Sequence, residues 1–205
     1  MEMQWRHQSI TRKEIKKEKN MIKNNTEDEK LIKELKDKKT RSKAFGQFVQ
    51  LYQKQTYWTI RKMLISHEDA NDVLQNTFLK AWEGLENFRF ESKLSTWIYR
   101  IAINETLTFL NSQRMKNLSS MVDLEDILVS KLRSDSYFSG DEAEEKLQRA
   151  ILTLPDKQRL VFNMKYFEEK TYEEMEEIFG TSVGALKASY HHAVKKIEQF
   201  LTNED

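Results

Sequence analysis

Five glycines and one proline are the only strong backbone breakers in this 205-residue chain, and their scarcity constrains the fold more than any other feature. β-Sandwiches and barrels need a turn roughly every 8–12 residues, built largely from Gly, Pro, Asn and Asp. An α-helix needs such residues only at its ends. Hydrophobic residues make up 39% of the chain and charged ones 33%, which suits small helical cores with solvated faces. No apolar run approaches the ~18 residues of a membrane span, and the polar stretch 1–25 does not read as a signal peptide. The absence of cysteine excludes a disulfide framework, a thiolate metal site and a cysteine nucleophile, and points to the cytoplasm. The expected class is all-α: two small helical domains joined by a linker.

A net charge of +1 conceals strong segregation. Residues 1–40 hold twelve Lys/Arg against eight Asp/Glu, and residues 93–116 hold Lys93, Arg100, Arg114 and Lys116 against Glu105 alone. Residues 117–145 reverse the sign, with eight acids against Lys131 and Arg133. A protein that merely coats nucleic acid would be basic throughout, whereas this one carries local fields of both signs.

Residues 1–40 are Lys-, Glu- and Asn-rich with few apolar positions and read as a flexible N-terminal extension. Residues 41–116 read as a three-helix bundle. Its first helix, with Ser42 as N-cap, carries Phe45, Phe48, Val49, Tyr52, Thr56, Thr59 and Met63. A second, opening at Asp69 after Ser66–His67, carries Ala70, Val73, Leu74, Thr77, Phe78, Ala81, Trp82 and Leu85. After a loop at Asn87–Ser92, a third presents Leu94, Trp97, Ile98, Ile101 and Ala102 on one face. Residues 117–142 lose this rhythm and read as an acidic linker, although Leu124, Ile127, Leu128 and Val129 also suit a short helix or a partner-bound strand.

Residues 143–201 form the C-terminal domain, and 202–205 a tail. Pro155 ends its first helix because the preceding residue avoids the α region, and Asp156 is expected to cap the next. Thr171-Tyr-Glu-Glu174 fits a capping box. The short helix behind it stops at Gly180, and Ser182 caps the last helix. Two helices joined through a glycine turn form the frame of a helix-turn-helix. The second would bury Val183, Leu186 and Tyr190 and point Lys187, Ser189, His191, His192 and Lys195 outward, where a helix can enter a major groove roughly 12 Å wide.

The first bundle adds a different signal. Phe88, Phe90, Trp97 and Tyr99 surround the Asn87–Ser92 loop with Arg89, Lys93 and Arg100 interleaved. Aromatic faces accept unstacked bases at about 1–3 kcal/mol each while cations track phosphates. Residue by residue, a packed core with solvated cations explains the same pattern; its pairing with a separate duplex reader favours opened DNA. No catalytic constellation accompanies these signals. The histidines are His7, His67, His191 and His192, with neither an HExxH pattern nor a phosphate-cradling glycine loop. Adjacent His191 and His192 point about 100° apart on a helix and do not converge on one ion. Neither a metal, a cofactor nor a small-molecule substrate is expected.

Asp69-Ala-Asn-Asp-Val-Leu-Gln-Asn-Thr-Phe-Leu-Lys-Ala-Trp82, Phe88-Arg-Phe-Glu-Ser92 and Ser95-Thr-Trp-Ile-Tyr-Arg-Ile-Ala-Ile-Asn104 resemble region 2 of extracytoplasmic-function sigma factors. Leu154-Pro-Asp-Lys-Gln-Arg-Leu-Val-Phe162 and Thr171 through Gly184 resemble their region 4. The resemblance implies a promoter-specificity subunit of bacterial RNA polymerase. It places polymerase docking on Asp69, Asp72, Gln75 and Phe78, with Asn76 where the family usually has glutamate. It places −10 recognition on Phe88, Arg89, Phe90, Lys93, Trp97, Arg100 and Asn104. The −35 reader would be Lys187, Ala188, Ser189, His191, His192 and Lys195, although Ser189 and His192 replace the family's usual arginines and their guanine-reading fork. Core polymerase, promoter DNA and an anti-sigma protein are the implied partners, without direct membrane insertion. On this basis the linker would run nearly extended, its acids Asp123, Glu125 and Asp126 lying in a basic polymerase channel. The alternative is a dimeric helix-turn-helix regulator that binds operator duplex without polymerase.

Overall fold

The computed structural model describes residues 28–117, 124–134 and 142–203, and among these it contains nine helices and no strand. The chain divides into two compact units, residues 1–48 and 49–205. In the first, residues 28–36 form helix α1, so the helical pattern begins earlier than the sparse apolar content of 1–40 suggests. Two leucines four apart, Leu31 and Leu35, suffice, and both are buried. The Thr40 hydroxyl donates to the Glu34 carbonyl at 2.7 Å, and the Lys39 amide donates to the Asp37 carboxylate at 2.9 Å. These bonds satisfy groups at the α1 end and turn the chain into α2 (Arg41–Leu64). The helix therefore starts before Ser42, and the Thr40 carbonyl receives the Ala44 amide.

The second unit holds the rest of α2, then α3 (His67–Gly84), α4 (Leu94–Asn117), α5 (Leu124–Ser134), α6 (Glu142–Leu152), α7 (Asp156–Tyr166), α8 (Tyr172–Phe179) and α9 (Val183–Asn203). Helices α2 and α3 are separated only by Ile65 and Ser66. Ile65 sits at φ 62°, a left-handed conformation costing a β-branched residue about 1–2 kcal/mol. Its side chain is fully buried, which is worth about 1.5–3 kcal/mol, so burial outweighs the strain. Ser66 caps α3 by accepting the Asp69 amide at 3.2 Å, and Glu68 and Asp69 complement the positive end of the helix dipole. The helix thus opens at His67, two residues before the expected Asp69.

Helix α3 packs along α4, burying Ala70, Val73 and Ala81 on one side and Leu94, Ile98 and Ala102 on the other. Trp82, expected on this inner stripe, is 41% exposed. Helices α6, α7 and α8 pack around α9, whose Ala193 and Ile197 join Ala150, Ile151, Leu154 and Phe162 in a second core. At the start of α7 the cap position is occupied by Pro155, which has no side-chain acceptor. The Asp156 carboxylate, expected as the cap, instead holds the Arg114 guanidinium bidentately at 2.5 and 2.9 Å and takes Arg159 at 3.2 Å.

Within residues 117–142 the structure replaces an irregular connector by a helix. Helix α5 buries Leu128 and Leu132 and packs against α6 and α4. Asp123, Glu125 and Asp126 lie outside the described residues and side chains.

The α7–α8 segment reaches α2 and α4. Thr59 donates its hydroxyl to Glu168 at 2.8 Å, and the Lys170 ammonium lies 4.3 Å from the centre of the Tyr99 ring. Burial raises the Glu168 carboxyl above its ordinary range, against the opposing pull of the Thr59 hydroxyl, Lys170, Lys62 and Tyr99. Burial likewise lowers Lys62 and raises Tyr99. A carboxyl whose folded-state pKa is raised contributes stability below its unfolded value, and that contribution is lost as pH rises through the folded value. Glu168→Gln should therefore be more stable than the parent at pH 7, with the difference shrinking toward pH 5. Urea midpoints at the two pH values measure it; a difference independent of pH would show that Glu168 is ionised at no cost.

Candidate nucleic-acid interface

The helix-turn-helix forms as its sequence dictates. Thr171 accepts the Glu174 amide at 3.1 Å while the Glu174 carboxylate accepts the Thr171 amide at 2.8 Å, completing the capping box. Burial would raise the Glu174 carboxyl, but the Thr171 amide and hydroxyl together with Lys170 and Lys93 hold it below its ordinary value. Gly180 ends α8 at φ 65°, its amide donating to the Glu176 carbonyl at 2.8 Å. A Cβ there would meet nothing within 4 Å, so only the backbone conformation requires glycine. Gly180→Ala should cost about 1 kcal/mol, lowering the melting temperature by roughly 2–4 °C; an unchanged melting curve would mean that the turn relaxes.

Helix α9 buries Leu186, Ala193 and Ile197 and half-buries Tyr190 against Phe162, whose rings stack at 5.8 Å. Lys187, Ala188, His191, His192 and Lys195 are exposed, whereas Ser189 is half-buried. The Lys187 ammonium lies 5.6 Å from the Tyr172 ring centre. The His191 and His192 ring centres are 6.1 Å apart and tilted by 57°, and among the described residues no cluster of three metal-ligating side chains occurs.

In the first bundle, Phe88 stacks on Trp97 with centres 4.3 Å apart and planes at 12°, and Phe90 lies 4.6 Å from Phe88. All three are half-buried, while Arg89, Lys93, Arg100 and Asn104 are exposed. Tyr99 departs from the expected aromatic group: it is buried against Lys170 on the other side of α4. Successive positions on a helix point in different directions, so Trp97 and Tyr99 serve different surfaces. Phe90 adopts φ 58°, which sharpens the loop.

Arg100 is engaged by the second bundle. Its Nε donates to the Glu177 carbonyl at 2.8 Å, and its Nη2 donates to the same oxygen. That carbonyl belongs to the last turn of α8, where the helix has no internal donor and its dipole favours a cation. Thr96 donates to the Glu177 carboxylate at 3.2 Å. Arg100 and Asn104 also line a cleft of about 790 Å³ together with Ile178, Gly180, Leu186 and Ser189.

On α3, Asp72 and Gln75 are exposed and Phe78 is half-buried. Asp69 is paired with Lys131 of α5 at 2.5 Å. Leu79, 56% exposed, extends the Asp72–Gln75 face by one turn. Its signal in the sequence is an apolar residue lying off the inward stripe of α3. Thr96, Glu177 and Lys131 matter through contacts 62 to 81 residues away, which periodicity cannot reveal.

Two family patterns match the chain: sigma-70 region 2 at residues 48–115 and sigma-70 region 4 at residues 144–197. The ECF RNA polymerase sigma factor SigW of Bacillus subtilis is 30% identical over 80% of this chain and 92% of its own length. The ECF RNA polymerase sigma-E factor of Haemophilus influenzae is 28% identical over 76% of this chain and 86% of its own. Two solved structures share the fold. RpoE, in complex with the anti-sigma factor NepR from Bartonella quintana, has a TM-score of 0.59 at 21% identity over 78% of this chain and 98% of its own. CnrH, in complex with the cytosolic domain of CnrY, has a TM-score of 0.60 at 20% identity over 87% of this chain and 99% of its own. With both regions matched in order, and a relative of this similarity along most of its length, the chain belongs to the extracytoplasmic-function sigma factors of the sigma-70 family, the promoter-specificity subunits of bacterial RNA polymerase.

Proposed function

We propose that this sigma factor grips −35 duplex with α9 and holds the opened −10 strand with the Phe88–Asn104 surface, while α3 docks on polymerase. The observation that carries the reading is the exposed arc of Lys187, Ala188, His191, His192 and Lys195 behind a glycine-turned helix pair. A helix so presented fits a major groove, and a separate aromatic–cationic surface suits bases that have left the stack. Extruding a base costs a few kcal/mol of stacking. A surface that binds only the extruded form offsets this without catalysis.

Sigma factors are non-enzymatic regulatory subunits, and the reading assigns this chain neither a cofactor nor a catalytic residue. No helix among the described residues is long and apolar enough to cross a membrane; the proposed site of action is the cytoplasm, with polymerase. An anti-sigma protein is the proposed regulatory partner, by analogy with the RpoE–NepR complex.

In vitro transcription with core polymerase tests the reading. The chain should direct initiation at specific start sites, whereas an operator-binding dimer would bind duplex tightly without core enzyme and direct none. Lys187→Glu replaces a phosphate- or base-facing cation by a repelling anion. It should lower −35-dependent initiation about tenfold or more while leaving core-polymerase affinity intact. Loss of polymerase affinity in that variant would count against the division of roles between the bundles.

A further inference from the structure

We propose that a pocket walled by Lys54, Trp58, Lys62, Glu168 and Lys170 binds a free nucleoside diphosphate, the lysines holding its phosphates and Trp58 its base. The pocket measures about 450 Å³, a volume within the range of small-molecule sites. None of its residues belongs to the polymerase, −10 or −35 sets assigned above, so it is a separate site.

Its charge selects an anion. The wall carries three lysines against one carboxylate, an excess of positive charge that a diphosphate would neutralise. The Lys62 ammonium lies 4.8 Å from the Phe167 ring centre and that of Lys170 lies 4.3 Å from the Tyr99 ring centre. Aromatic faces position a cation without cancelling its charge. Burial lowers Lys62 below the ordinary lysine range, and a phosphate beside it would favour the charged form.

A second observation comes from the carboxylate. Glu168 Oε1 accepts the Thr59 hydroxyl at 2.8 Å, whereas Oε2 is buried with no hydrogen-bond partner. A buried acceptor left unpaired is costly, and a ribose hydroxyl or an exocyclic amine would donate to it. The backbone that presents this wall is strained. Glu169 adopts φ 53° between Glu168 and Lys170, which both line the pocket, and strain of this kind clusters at ligand sites. The turn is held by the Lys170 amide on the Met164 carbonyl at 3.1 Å and by the Lys165 ammonium on the Lys170 carbonyl at 3.2 Å. Trp58 is half-buried with Tyr57 edge-on at 5.1 Å. Stacking on such a ring tolerates any base, so the site should separate nucleotide from inorganic phosphate rather than one base from another.

Calorimetric titration of the full chain with ADP, GDP and pyrophosphate tests this. ADP and GDP should bind within about threefold of each other, and pyrophosphate about tenfold or more weakly. Trp58→Leu should bring ADP down to the level of pyrophosphate. Lys54→Ala and Lys62→Ala should each weaken ADP about tenfold or more; Lys54 is exposed, so its truncation leaves the core intact, and circular dichroism checks both. No binding of either nucleotide at about 1 mM overturns the proposal, as does pyrophosphate binding as tightly as ADP. Unchanged ADP affinity in both lysine variants removes the ligand from this pocket. Displacement of ADP by a single-stranded oligonucleotide at lower concentration than by GDP would make the occupant a nucleic-acid strand, and the free nucleotide would be refuted.

Discussion

Trp97→Ala should reduce promoter opening roughly 5- to 150-fold, the equivalent of about 1–3 kcal/mol of base stacking, while leaving initial recruitment to duplex promoter nearly unchanged. Trp97 lies against Phe88 at 4.3 Å with near-parallel planes, and both are half-buried. The pair forms a stacked, half-buried aromatic unit. Truncation also removes packing: the indole reaches 3.6 Å from where a Cβ on Gly84 would stand, and stability should fall by about 3 kcal/mol. Trp97→Phe separates the two effects because it keeps an aromatic face. Permanganate reactivity of unpaired thymines reports opening, mobility shift reports recruitment, and circular dichroism reports folding. A folded Trp97→Ala protein that opens promoters normally would remove this residue from the strand-holding surface.

Asp156→Ala should be the most destabilising single change among the charged residues considered, costing about 3–5 kcal/mol. Its side chain is 12% exposed and receives Arg114 at 2.5 Å and Arg159 at 3.2 Å, the latter guanidinium being 1% exposed. Truncating the carboxylate leaves the Arg159 charge inside the bundle without this partner, and uncompensated buried charge is what makes such deletions costly. Asp156→Asn, which keeps an acceptor without the charge, should fall between. Urea unfolding measures both; a loss below about 1 kcal/mol would mean that Arg159 finds compensation by rearrangement. The same change cuts the link from α4 to α7.

Much of the local structure could be read directly from residue order. The Thr171 capping box, the left-handed Gly180 and the inward faces of α3 and α9 depend on neighbours within one or two turns. Their signals are therefore local in sequence. Misreadings had a local cause too. Asp156 is an acidic residue at the start of a helix, where a cap is expected, yet its carboxylate accepts from two arginines rather than from the amides of its own helix. Tyr99 sits two residues from Trp97, but helical rotation carries it to another face. The 117–142 segment lacks sustained rhythm because α5 is short, and Leu128 and Leu132 make one stripe of a single turn.

Residue order alone determined an all-α chain with a glycine-turned helix pair and an aromatic–cationic loop, because helix periodicity and end-capping act over a few residues. Only the tertiary structure decided that Arg100 and Asn104 line one cleft with Ser189, and that Asp69 pairs with Lys131 and Arg100 with the Glu177 carbonyl. Those contacts join residues 62 and 77 positions apart. Their energies depend on the approach of whole helices, which no local pattern records.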